Sequence, residues 1–89
     1  MIHKIKIEQQ WADAILAGVK KAELRYNDRN YQRGDHIRFC VIKIEKDGTK
    51  TPILSPEYNN MLYEITYVYA APCKGLAPGW VILSIERTD

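Results

Sequence analysis

Only one stretch of this chain, Trp11 to Gly18, carries apolar residues at helical spacing; nearly everything else alternates with a period of two. Trp11, Ala14, Ile15 and Gly18 mark one side of that helix, and Ala12, Leu16 and Ala17 fill the turns between them, which predicts a helix from about Glu8 to Ala17. Glu8 then falls in the first turn, where negative charge suits the positive end of the helix, and Gly18 accepts the left-handed conformation that ends it. A single short helix cannot cover both faces of a parallel sheet, nor build a bundle, so the strands must make the fold.

Ile2, Ile5 and Ile7 bracket His3, Lys4 and Lys6 as a first strand. After the helix, Lys21, Glu23 and Arg25 point one way and Ala22, Leu24 and Tyr26 the other, predicting a strand with a polar face opposite an apolar one. Asn27 to Asn30 reads as a turn, and Gly34-Asp35 launches a β-branched run from Ile37 to Ile44. Asp47-Gly48 between extended segments is a hairpin signal, with Thr51 to Leu54 as the returning strand. Ser55 to Asn60 reads as a loop, Leu62 to Ala70 as a Tyr- and Ile-rich strand, and Trp80 to Ile85 as the last strand. The expected fold is therefore α+β: a mostly antiparallel β-barrel of five or six strands, with one main helix packed beside it and residues 1–89 as a single domain.

Composition narrows the function less. The net charge of +2 permits a nucleic-acid partner without pointing to one. Cys40 and Cys73 have no metal-ligand or redox spacing; Cys40, in an apolar run, is expected to be a buried small hydrophobe and Cys73 a loop thiol. His3 and His36 are too isolated to be ligands and read as ordinary polar strand residues, while Trp11 reads as core. No leader and no apolar run approaching a membrane span is present, so the expectation is a cytoplasmic domain with no membrane, metal or cofactor.

The most informative segment is Gly18-Val19-Lys20-Lys21-Ala22-Glu23-Leu24-Arg25, followed by Asn27-Asp28-Arg29 and Gly34-Asp35. Together with Ile2-His3 at the start and Gly75-Leu76-x-x-Gly79-Trp80-Val81-Ile82-Leu83 at the end, this order of segments resembles the ASCH (activating signal cointegrator homology) domains, in particular small stand-alone ones of bacteria and phages. The resemblance spans nearly the whole chain, with the hairpin at Asp47-Gly48 its most variable part. It implies a PUA-like β-barrel with a cleft beside the helix, RNA binding, and Lys20, Glu23 and Arg25 near that cleft. One branch of the group hydrolyses the acyl amide of an N4-acylated cytidine and matches Lys20 and Arg25, but it has a Thr nucleophile where this chain has Glu23, and a carboxylate does not replace a hydroxyl nucleophile.

The residues themselves support a ligand site. Lys20 or Lys21 can hold a phosphate, Arg25 can grip phosphate or a base edge with two parallel hydrogen bonds, and Glu23 can accept from an amine or hold the arginine. Tyr26 and Tyr31 offer rings for unpaired bases, Trp80 reads either as core or as a wall of the cleft, and Arg29 has no turn role and can reach the cleft. Lys43, Lys46 and Lys50 around the hairpin read as a solubilised tip that can follow a nucleic-acid backbone. Three functions compete: a module binding RNA or a nucleotide-like ligand, a small amidohydrolase using Lys20 and Glu23 as acid–base groups, and a protein-interaction domain on which Lys21, Glu23 and Arg25 are only a solvated strand face.

Overall fold

The period-two segments become six strands and the helical segment one helix in the computed structural model of the chain, which describes residues 1–88. Strand β1 spans Ile2–Glu8, helix α1 Gln9–Leu16, and strands β2 to β6 span Ala22–Tyr26, His36–Ile44, Lys50–Pro52, Leu62–Ala70 and Trp80–Arg87. The helix is one residue shorter at each end than its spacing predicts: Glu8 is the extended last residue of β1 rather than part of the first turn. Gly18 does end it, at φ +78°. Its stripe of Ala12, Ile15 and Leu16 turns toward the sheet, at i, i+3 and i+4. Trp11 lies at the margin of that stripe and is exposed, which corrects its assignment to the core.

β3 organises the sheet. It takes β1 in parallel along one side, β5 antiparallel along the other, and β4 antiparallel at its C-terminal end; β6 then pairs with β5, and β2 with β6. The path β1-β3-β5-β6-β2 is mostly antiparallel, as expected, but it does not close into a barrel, because β1 and β2 are its two ends and do not pair. The sheet is still curled, since Arg25 Nη2 on β2 donates to the Lys6 carbonyl on β1 across 2.9 Å. Lys20, Glu23 and Arg25 stand at this seam, and taking charges fully out of water is costly.

Burial fixes the phase of each strand, since enclosing one aliphatic side chain stabilises by about 1.5–3 kcal/mol. Ile37, Phe39 and Val41 turn inward on β3, and Val81, Leu83 and Ile85 on β6. Cys40 therefore turns outward and is exposed, contrary to the expectation of a buried thiol; both cysteines are free. On β1 the inward positions are His3, Ile5 and Ile7, so Ile2 is exposed and His3 is buried. The Asp-Gly pair does make a hairpin, with a three-residue loop: Gly48, at φ +88°, donates its N–H to the Glu45 carbonyl, and Glu45 donates its own to the Thr49 carbonyl.

His3 is tolerated in the interior because Nε2 lies 2.8 Å from Asp35 Oδ2, with the Tyr31 ring packed edge-on against the imidazole. That hydrogen bond is the largest influence holding the Asp35 carboxyl below its ordinary value of 3.8. A carboxyl depressed on folding favours the folded state above its unfolded pKa and loses that contribution as pH falls through the folded one. Thermal melts between pH 5 and pH 2 should therefore show a stability loss beginning below about pH 4. Asp35→Asn should be less stable at pH 5 and should lose part of that acid dependence; identical slopes for the two proteins would exclude the linkage.

Candidate functional site

β2 reaches the seam with its charged side inward. Glu23 is 6% exposed, whereas Leu24 and Tyr26 are 56% and 55% exposed, the inverse of the polar-out, apolar-in phase expected for this strand. The inner face of β2 looks onto the seam rather than onto the core, so the charges have water and one another as partners. Glu23 sits between two cations. Lys20 Nζ donates to Oε1 at 2.6 Å and also to the Ala22 carbonyl. Arg25 brings Nε and Nη2 to Oε2 at 2.7 and 2.6 Å. With Nη2 also on the Lys6 carbonyl, Arg25 ties the two open strand edges together.

Those edges turn backbone groups to the seam that pair with no strand, although the Ala22 and Lys6 carbonyls accept from the Lys20 and Arg25 side chains. Ile85 N donates to Lys21 O and Asn27 N to Gly79 O, which sets the β2–β6 ladder and turns the backbone groups of Ala22, Leu24 and Tyr26 toward the seam. His36 N donates to Met1 O, which likewise turns the groups of Lys4 and Lys6 toward it. Between the edges lies a cleft of about 930 Å³, at the upper end of ordinary ligand pockets.

The cleft is basic. Six cations and three carboxylates line it, a formal +3, while the whole chain carries only +2. Lys4, Lys6, Arg29 and Lys50 stand around the Lys20–Glu23–Arg25 cluster, with Glu8 and Asp28 opposing them. Trp11, Tyr26 and Trp80 supply its rings, and Tyr26 meets Trp80 edge to face at 5.8 Å. Gly79, at φ +87°, makes room for this: a Cβ there would lie 2.6 Å from Tyr26 Cε1.

Of the residues singled out from the sequence, Lys20, Glu23, Arg25, Arg29, Tyr26, Tyr31 and Trp80 all line this one cleft. Lys21 does not; it is exposed on the way into β2 and only its carbonyl is engaged, by Ile85. Tyr31 belongs to the core and cannot offer a ring face; burial raises its pKa, against the lowering influence of Arg29 and Arg25. Trp11, Lys4 and Lys6 were not singled out for the site. The signal for Trp11 was its position one residue outside the Ala12–Ile15–Leu16 stripe. Lys4 and Lys6 alternate with Ile5 and Ile7 on a strand that proves to be an edge. Of the hairpin lysines only Lys50 lines the cleft. Among the described residues no three His, Cys, Asp or Glu side chains gather as a metal site requires, and no helix is long and apolar enough to cross a membrane.

Comparison with known proteins matches residues 2–85 to a family described as "Domain of unknown function (DUF3850)". An "Uncharacterized 12.9 kDa protein in GpA 3'region" of Escherichia phage P2 is 50% identical over 36 residues, which cover 40% of this chain and 33% of that protein. The chain thus spans about a third of the length of the curated relative it matches (33%).

Proposed function

The chain belongs to the DUF3850 family, and we propose that in this member the cleft between β1 and β2 binds single-stranded RNA or a nucleotide-like ligand. The observation that carries the reading is the concentration of positive charge: the cleft holds more net charge than the entire chain, beside rings and unpaired strand edges. Arg25 is held by Glu23 and the Lys6 carbonyl through Nε and Nη2, and among the described residues nothing accepts from Nη1. A phosphate or base edge can take those remaining donors from a side chain already fixed in place. Tyr26, Trp80 and Trp11 supply faces for unpaired bases, which a duplex would keep stacked and out of reach. The single helix beside a curled, mostly antiparallel sheet supports reading the fold as a PUA-like domain of ASCH type, opened along one seam. Two free thiols support a cytoplasmic setting.

Hydrolysis of an acyl amide is less well supported. Among the described residues no Ser, Thr or Cys lines the cleft, and Lys20 and Glu23 are bonded to each other rather than left free to move a proton.

Phosphate-led binding makes affinity fall with salt. A cleft this size covers few phosphates, so a titration of single-stranded RNA followed by fluorescence anisotropy should give a log–log slope of about −1.5 to −3, at roughly −0.7 per neutralised phosphate. Salt-independent affinity would contradict the phosphate role. An absence of binding to RNA and to nucleotides at low salt would contradict the proposal itself.

A further inference from the structure

The outer face of β5, β6 and β2 bears a row of rings and aliphatic side chains that no other element covers. Because Val81, Leu83 and Ile85 take the inner side of β6, Trp80, Ile82 and Ser84 take the outer. Across the ladders Leu24 stands opposite Ile82 and Ile82 opposite Tyr69, while Tyr26 stands opposite Trp80 and Tyr67 opposite Ser84. The two tyrosines are there because of an irregularity. Plain alternation from the buried Ile65 would send Tyr67 and Tyr69 inward. The bulge between Ile65 and Tyr67 inserts one residue and turns them outward, 58% and 41% exposed.

We propose that this face is a base-stacking platform that carries single-stranded nucleic acid onward from the cleft, an inference that rests on reading the cleft as a single-strand site. Three observations choose this occupant. The face is continuous with the cleft, since Leu24, Tyr26 and Trp80 line the cleft and also stand on the outer side of the sheet. A strand leaving the cleft over the edge of β2 therefore meets the rings without a gap. The exposed groups are largely aromatic with a polar tip, which suits stacking at a wet surface, and rings two residues apart on β5 are spaced by roughly 6.6–6.8 Å. Charge sets the far limit: beyond the bulge Glu64 stands opposite Glu86, both exposed, and a polyanion is turned away there.

The test compares oligouridylates of increasing length on the wild-type chain, on Tyr67→Leu/Tyr69→Leu, and on Arg25→Lys. The leucine pair keeps apolar bulk and removes the stacking faces; both tyrosines lie outside the cleft lining. Wild-type affinity should keep rising beyond the roughly two to four nucleotides whose phosphates the cleft neutralises. The leucine pair should bind a dinucleotide as the wild type does and a decamer about tenfold more weakly, with an unchanged salt slope. Tyr67→Phe/Tyr69→Phe should restore the decamer affinity, which also distinguishes lost stacking from a misfolded variant. If the leucine pair binds the decamer like the wild type while Arg25→Lys is weakened, the platform fails and the cleft reading stands. If the wild type binds no oligonucleotide at low salt, both fail. Sedimentation supplies another contrary outcome: a wild-type dimer that the leucine pair dissociates would assign the face to a second copy of the chain.

Discussion

Replacing Glu23 with alanine should destabilise the domain by about 2–3 kcal/mol, the largest effect expected from any single change at the cleft. Glu23 is 6% exposed and holds two cations, so its loss leaves Lys20 and Arg25 side by side without a counterion over a small void. Removing one partner of a fully buried pair costs about 3–5 kcal/mol. The cost here is smaller because Lys20 and Arg25 are about a quarter exposed (24% and 27%) and can turn part of their charge to water. For a domain of this size the melting temperature should fall by roughly 10–20 °C. Glu23→Gln keeps an acceptor and the volume, so it should lose about half as much; the difference between the two variants isolates the charge. Glu23→Ala melting within about 2 °C of the wild type would mean that the cluster is an ordinary solvated surface.

Arg25 separates binding from stability. Its guanidinium contacts Glu23 twice and the Lys6 carbonyl once, so Arg25→Ala should cost more than a surface substitution, about 1–2 kcal/mol, with Lys20 still satisfying Glu23. A residue on a solvated strand face would change stability by only about ±0.5 kcal/mol, and Arg25 costs more because its side of β2 turns inward. RNA affinity should fall further, by on the order of 1–3 kcal/mol, roughly 5- to 150-fold. Arg25→Lys is the sharper variant, since it keeps the charge near Glu23 but lacks the Nη1 donors that a guanidinium held by Glu23 and the Lys6 carbonyl still offers a phosphate or base edge. It should melt close to the wild type and bind about tenfold more weakly. Lys46→Ala, at a hairpin position outside the cleft, should be nearly silent in both assays. Loss of stability without loss of affinity in the Arg25 variants would make the residue a clasp between β1 and β2 and nothing more.

The strand reading held where local chemistry decides. Leu62–Ala70 has the bounds its composition predicts, and Asp47-Gly48 makes its turn. The helix lost only its end residues, because Glu8 remains in the extended strand that feeds it. What failed was phase and closure. On β2 the sequence alternates charged and apolar residues perfectly, and alternation gives a period but not the side that faces inward. Ordinarily the core settles that question. Here the inner face borders an open seam, so Glu23 and Arg25 go in and Leu24 and Tyr26 go out. The same lack of phase hid Cys40, one residue out of step with Ile37, Phe39 and Val41. The bulge on β5 was equally invisible, since Tyr63, Ile65, Tyr67 and Tyr69 read as one unbroken face. The seam depends on the parallel pairing of β1 with β3, a contact between residues more than 30 positions apart that no local pattern encodes. The cluster itself was legible, because Lys20, Glu23 and Arg25 lie within six positions and one turn brings them together.

The most direct test of the cleft is an NMR titration of the isotope-labelled chain with a short single-stranded RNA at low salt. Arg25 Nε–H and the indole N–H groups of Trp80 and Trp11 report from three different elements that line the cleft, β2, β6 and α1. The reading predicts that all three signals shift together and saturate with one binding curve, while the amides of Lys46 to Gly48 at the hairpin tip stay in place. Shifts confined to the hairpin tip, or no shifts at any RNA concentration, would contradict it.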